Sequence, residues 1–199
     1  MSEWNTRKDY FLRRLREEFE AGRVDPDLKD LLDLINLLDD YYTTSSCSGR
    51  IQVAEVRMPG DKFDLRTLGK WHWKVDLEDI KEVLTKGGDY VWLMVQGPII
   101  HITSRNLESA LKMLSLARAC GFKHSGIQVY KRFRILIEIM GSEEMTVPLK
   151  WAGVTIVSED GLSSLVNIAN ELLERSKSKL KRFKKAVIKN FHLGSVTPL

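Results

Sequence analysis

Two cysteines, Cys47 and Cys120, are too few for a disulfide framework, and they share no ligand spacing with the four histidines at 72, 101, 124 and 192. Reduced thiols and no metal are expected. No apolar run approaches the roughly 18 residues of a membrane span. The stretch MSEWNTRKDYF lacks the apolar centre of a signal peptide, so a cytoplasmic protein is expected. No GxGxxG follows a strand pattern, Gly87-Gly88 ends a helical pattern and does not open one, and no P-loop motif occurs. GxSxG is missing as well. A Rossmann cofactor site, a P-loop and a nucleophile elbow are thereby set aside. With five prolines and no linker rich in Gly, Pro or Ser, residues 1–199 read as a single domain.

What is present is a soluble globular composition, 43% hydrophobic and 29% charged. Trp4, Phe11, Leu12, Leu15 and Phe19 form a helical stripe ending at Gly22. Asp25-Pro26 then starts a second helix that runs to about Asp40. After a hydroxyl-rich loop, residues 51–58 and 70–75 read as strands, and Asp76 caps a helix ending at Gly87-Gly88. Strands at 90–96 and 99–104, turned at Gly97-Pro98, lead to a helix from Leu107 to Cys120. A hairpin at 126–140, short strands near 145–149 and 153–157, and a final helix from about 161 to 190 complete the chain. Repeated strand-strand-helix units predict an α+β fold with mixed, largely antiparallel sheets, N-terminal helices and a long C-terminal helix, and not a Rossmann fold.

Charge is unevenly spread. Eight basic residues and no acidic one lie between Arg175 and Leu199, which leaves the preceding residues net negative. Leu173, Leu180, Phe183 and Val187 recur at helical spacing, so a stripe docks on the body while Lys177, Lys181, Arg182, Lys184 and Lys185 are offered to an anionic partner. Such a helix reads as a nucleic-acid or anionic-membrane contact, or as a solvated face. Lys131, Arg132 and Arg134 add cations to the hairpin.

The run Tyr41-Tyr42-Thr43-Thr44-Ser45-Ser46-Cys47-Ser48-Gly49-Arg50 is a poor core and a good ligand cradle. Hydroxyls favour turns, and Gly49 admits close approach of the backbone. Arg50 supplies a planar fork for a carboxylate or phosphate. Cys47 reads either as a small structural thiol or as a nucleophile. Strand alternation places His101, Thr103 and Arg105 on one face, away from Ile100 and Ile102.

The run TTSSCSGR, Lys70-Trp71, HITSR at 101–105, GF-x-x-SGI at 121–127, Val147-Pro148-Leu149, and Asn170 followed by Lys181-Arg182-Phe183 occur in one order and spacing. Together they resemble the tRNA wybutosine-synthesising protein 3 family over about residues 8–187. The resemblance implies a methyltransferase that uses S-adenosylmethionine. Its substrate would be tRNA-Phe, methylated at the N4 ring nitrogen of the tricyclic wye-type guanosine beside the anticodon. It also implies a site of Ser45, Ser46, Cys47, Gly49 and Arg50, with His101, Arg105, Ser125 and Gly126 as its second half.

A sulfonium methyl is already activated, so alignment and exclusion of water suffice and covalent catalysis is unnecessary. Arg50 and the hydroxyl run are expected to meet the methionine carboxylate, and Asp61 or backbone carbonyls its ammonium. If the target nitrogen carries a proton, His101 is the candidate base, histidine being the side chain type that ordinarily titrates near neutrality, with a structural hydrogen-bonding residue as the other reading. Trp71 or Trp73 is expected to stack on the flat base, with either tryptophan as a core residue the other reading. A non-catalytic tRNA-binding module, holding RNA by its basic tail while another protein does the chemistry, is the alternative.

Overall fold

In the structure, a computed structural model that describes residues 2–61, 63–132 and 134–193, helix α1 (Glu3–Glu20) begins at Ser2, whose hydroxyl accepts the Asn5 N–H. A 3-10 turn (Pro26–Leu28) precedes α2 (Lys29–Leu37). Asp25 does not cap this turn. Its carboxylate accepts the Ser48 N–H at 2.6 Å instead.

The hydroxyl-rich run, expected as a loop, is mostly strand β1 (Tyr41–Cys47). It is followed by β2 (Arg50–Glu55), β3 (Arg66–Trp71), α3 (Leu77–Thr85), β4 (Val91–Gln96), β5 (Ile99–Ser104) and α4 (Leu107–Ala119). Then come β6 (Gly126–Lys131), β7 (Arg134–Met140), β8 (Glu144–Trp151), β9 (Val154–Thr155) and α5 (Glu159–Asn190). Asp76 and Asp79 form a capping box on α3, and Asn106 caps α4 by accepting the Ser109 N–H. The α+β expectation holds, with antiparallel pairing in both sheets. The turn at Gly97-Pro98 does not make a hairpin, because β4 and β5 belong to different sheets.

The chain folds into two compact units built from interleaved segments: 1–48, 98–142 and 177–199 in one, 49–97 and 143–176 in the other. In the first, the sheet order is β1-β5-β7-β6. Its inner face, with Ile100, Ile102, Ile135, Ile137 and Ile139, shares a core with α2, α4 and Leu180, Phe183 and Val187 of α5. On the outer face α1 covers one end, where Phe11 stacks on Tyr42 with ring centroids 5.1 Å apart and Trp4 leans on the same ring at 5.0 Å.

In the second unit the order is β3-β2-β4-β8-β9. Ile51, Val53, Leu93, Val95 and Leu149 pack with Ile80 and Val83 of α3 and with Leu162, Val166, Ala169 and Leu173 of α5. The buried positions of α5, Leu162, Val166, Ala169, Leu173, Ser176, Leu180, Phe183 and Val187, alternate steps of four and three. That spacing keeps one stripe inward along the helix and the intervening lysines off it.

Candidate active site

A β-bulge decides which hydroxyl enters the site. Tyr42 pairs with Thr103 and Thr43 with Ile102, but the next pair is Ser45 with His101, so Thr44 is the extra residue of β1. The bulge turns Ser45 onto the outer face beside His101. There Ser45 Oγ lies 2.7 Å from His101 Nδ1, and His101 Nε2 lies 2.8 Å from Glu138 Oε2 on β7. The other Glu138 oxygen accepts from the Gln128 amide at 2.8 Å.

A carboxylate only accepts, so Glu138 fixes the proton of the neutral ring on Nε2 and leaves the Nδ1 lone pair for the Ser45 hydroxyl. His101 and Glu138 side chains are 29% and 20% exposed, open to a substrate yet partly shielded from water. This network can draw a proton through Ser45. Nucleophilic use of Ser45 finds no support in its setting, since it lies within a paired strand and not on a strand-to-helix elbow.

Neither Glu138 nor Gln128 was expected from sequence. The available signal was an acid between Ile137 and Ile139, on the face of β7 opposite the isoleucines. Across from Glu138 stands Gly126, where an added Cβ would meet nothing within 4 Å. Ser125 is buried, its hydroxyl accepting the Met140 N–H and its carbonyl the Arg118 guanidinium, so it builds the turn that carries Gly126. Arg105 lies just past β5, its N–H bound to the Asp40 carbonyl, and takes no part in the Ser45–His101–Glu138 network. Thr103, on the His101 face, is buried opposite Tyr42. Thr44, Ser45 and Ser46 also border a small cavity of about 160 Å³ with Phe11 and Arg14 of α1. Cys47 ends β1 as a partly exposed thiol outside any disulfide, whereas burial pushes the pKa of the Cys120 thiol upward.

In the five-stranded unit, Gly49 adopts a φ of 90°, which only glycine takes readily, and its carbonyl lies 3.1 Å from His72 Nδ1. Arg50 and Asp61 share a cavity of about 420 Å³ on the sheet face away from α3 and α5. Arg50 Nε donates to Gln96 Oε1 at 2.7 Å, and Gln52 donates to the Thr67 hydroxyl. Trp71 packs partly against the core, its ring lying over Gly69, while Trp73 is 65% exposed.

The basic residues of α5 divide by partner. Lys177 Nζ lies 2.7 Å from an Asp27 carboxylate oxygen and also meets the Ser48 hydroxyl. Lys184 pairs with Asp30 at 2.6 Å, and Arg182 reaches the Cys120 carbonyl. Lys181 and Lys185 are exposed, as are Lys131 and Arg132 near the β6–β7 turn, next to the exposed Tyr130. Among the described residues, no helix is long and apolar enough to cross a membrane.

Residues 6–189 match the family model described as Methyltransferase TYW3. A Thermococcus sibiricus protein named tRNA(Phe) 7-((3-amino-3-carboxypropyl)-4-demethylwyosine(37)-N(4))-methyltransferase is 40% identical over 187 residues, covering 94% of this chain and 95% of that protein. An Archaeoglobus fulgidus protein of the same name is 37% identical over 184 residues, covering 92% and 93%. Among solved structures, the PH1069 protein of Pyrococcus horikoshii superposes with a TM-score of 0.89 at 39% identity, over 92% of this chain and 95% of that one. A protein of Aeropyrum pernix gives a TM-score of 0.76 at 36% identity, over 83% and 98%. Matched along nearly its whole length in sequence and in fold, the chain belongs to the TYW3 methyltransferase family.

Proposed function

We propose that this protein transfers a methyl group from S-adenosylmethionine to N4 of 7-(3-amino-3-carboxypropyl)-4-demethylwyosine at position 37 of tRNA(Phe), the reaction in its relatives' names. Within the chain, the supporting observation is the Ser45–His101–Glu138 relay on an open sheet face.

Methylating a neutral ring nitrogen that bears hydrogen forms one N–C bond, breaks one S–C bond and releases one proton. S-adenosylmethionine, when bound, supplies the methyl as an activated sulfonium, and the protein's part is alignment, shielding from water and acceptance of that proton. Ser45 Oγ takes the proton as its own passes to His101 Nδ1. Glu138 then stabilises the imidazolium through Nε2–H. A positioned base of this kind is worth roughly 10²- to 10⁴-fold in rate.

The donor set of the 420 Å³ cavity fits the amino-acid end of S-adenosylmethionine, with Arg50 for a carboxylate and two acids, Asp61 and Glu144, on offer to an ammonium. Gly49, next to Arg50 and in the same unit, is proposed with them for the donor; Ser46, Cys47, Ser125 and Gly126 belong to the four-stranded unit, where Gly126 leaves open space across from Glu138 for the acceptor base. The tRNA backbone is assigned to the α5 cations and to Lys131 and Arg132. Between the two tryptophans, the greater exposure of Trp73 favours it over Trp71 as a stacking surface.

The test is incubation of the purified protein with methyl-labelled S-adenosylmethionine and tRNA(Phe) carrying the demethylwyosine derivative. Label is expected in the modified nucleoside and not in tRNA lacking it. A protein that binds tRNA but neither binds the donor nor transfers label is a tRNA-binding module and not this enzyme.

A further inference from the structure

Arg50, Gln96 and Glu144 stand in one row across three adjacent strands: Arg50 is the register partner of Gln96, and Gln96 of Glu144. The row behind it is Gln52, Met94 and Thr146, in the same register. All six side chains line the cavity that Asp61 and Leu65 also border.

Gln96 fixes Arg50 by accepting from Nε. Among the described residues, that contact leaves the two Nη groups at the end of the guanidinium as an open fork of the kind that grips a carboxylate in two bonds. Among the described residues, the Glu144 carboxylate has no hydrogen-bond or ion-pair partner. Opposite charges thus face one cavity without neutralising each other, because Gln96 stands between them.

Neither a bare anion nor a bare cation suits this arrangement. A phosphate on Arg50 would meet Glu144 and Asp61, and a cation on Glu144 would meet Arg50. Strands lie about 4.8 Å apart, so the backbones of Arg50 and Glu144 are separated by about 9.6 Å. A ligand whose own charges lie roughly 3 Å apart, with a contact of about 2.8 Å at each end, spans close to 9 Å. Met94 and Leu65 offer an apolar floor for methylene groups.

We propose that this cavity is the receptor for a 3-amino-3-carboxypropyl group, its carboxylate on Arg50 and its ammonium on Glu144. The inference deepens the proposed function and rests on it, because two participants in that reaction carry this group: the methyl donor and the side arm of the acceptor base.

Equilibrium dialysis separates the two sources. One arm compares S-adenosylmethionine with 5′-methylthioadenosine, which lacks the amino-acid end. The other compares tRNA(Phe) bearing the armed base with tRNA(Phe) bearing unarmed 4-demethylwyosine. Each is run with the full-length protein and with the Arg50→Gln and Glu144→Gln variants, their folding checked by circular dichroism. If the donor's end occupies the cavity, both variants lose at least tenfold of the preference for S-adenosylmethionine over 5′-methylthioadenosine. If the base's arm occupies it, donor binding stays within twofold and both variants lose at least tenfold of the preference for armed tRNA. Should Arg50→Gln fail to fold, Arg50→Lys keeps the charge without the fork and is read the same way. Preferences unchanged in both arms overturn the receptor. Wild-type methyl transfer, measured separately, reports on the proposed reaction.

Discussion

Ser45, and not Thr44, stands opposite His101, because the extra residue of the β1 bulge is Thr44. The hydroxyl is thereby placed 2.7 Å from Nδ1 on the outer face, in line with Glu138. If this line carries the proton, Ser45→Ala and Glu138→Gln should each lower kcat by roughly 10- to 100-fold with KM for tRNA within about threefold, as expected for groups that act mainly in the transition state. Glu138→Gln can still hydrogen-bond to the ring, so its loss isolates the charge on the imidazolium's partner. Single-turnover methyl transfer reads this directly. Unchanged rates in both variants would remove the relay from the mechanism.

Gly126 leaves open space directly across from Glu138. Gly126→Ala should fold normally and gain about 0.5 kcal/mol from reduced freedom of the unfolded chain. Gly126→Val should also fold, yet fill the space where the acceptor base is to lie, lowering methyl transfer at least tenfold. Thermal melts and turnover on the same samples separate the two effects. Full activity in Gly126→Val would place the base elsewhere.

How far the sequence could be read depended on whether a signal was local. The Asp76 cap of α3, the Gly22 stop and the helical spacing of α5 are contained in short segments, and all appear where expected. The hydroxyl run misled because Ser and Thr prefer turns in isolation, whereas here β5 supplies backbone partners along β1. Gly97-Pro98 looked like a hairpin because the sequence does not state that β4 and β5 join different sheets. His101 was legible as a polar residue alternating with Ile100 and Ile102. Glu138 was not, since its role depends on the pairing of β5 with β7, a relationship 37 residues apart.

Tyr41 provides a check on the core independent of any activity. Its hydroxyl donates to the Ser109 carbonyl at 2.8 Å, and burial pushes its phenol up to about 12. The folded state therefore holds the proton more tightly than the unfolded chain, whose phenol titrates near 10. This contribution, on the order of 2 kcal/mol, is fully present below about pH 10 and is lost as pH rises from there through about 12. Tyr41→Phe should cost about 1 kcal/mol at pH 7 by removing a buried hydrogen bond, and should then decline less steeply between pH 9 and 11 in urea unfolding. Parallel decline of the two proteins would assign the alkaline loss to other groups.

The lysines of α5 should separate into two kinds. Lys177 and Lys184 are engaged by Asp27 and Asp30, while Lys181 and Lys185 extend into solvent. If the exposed pair meets tRNA phosphates, replacing both by Gln should flatten the log–log salt dependence of tRNA binding by about 1.4, at roughly 0.7 per contact for single-stranded geometry. Their loss should leave the melting temperature in place. Lys177→Gln with Lys184→Gln should instead lower stability by about 1 kcal/mol, a modest figure because these pairs are partly solvated and screened. The salt slope of this second double variant should change by less than that of the first. Filter binding across a salt series, run beside thermal melts, reads both quantities. Equal slope changes in the two double variants would mean that tRNA displaces Asp27 and Asp30 from their lysines, so that the whole helix face grips the RNA.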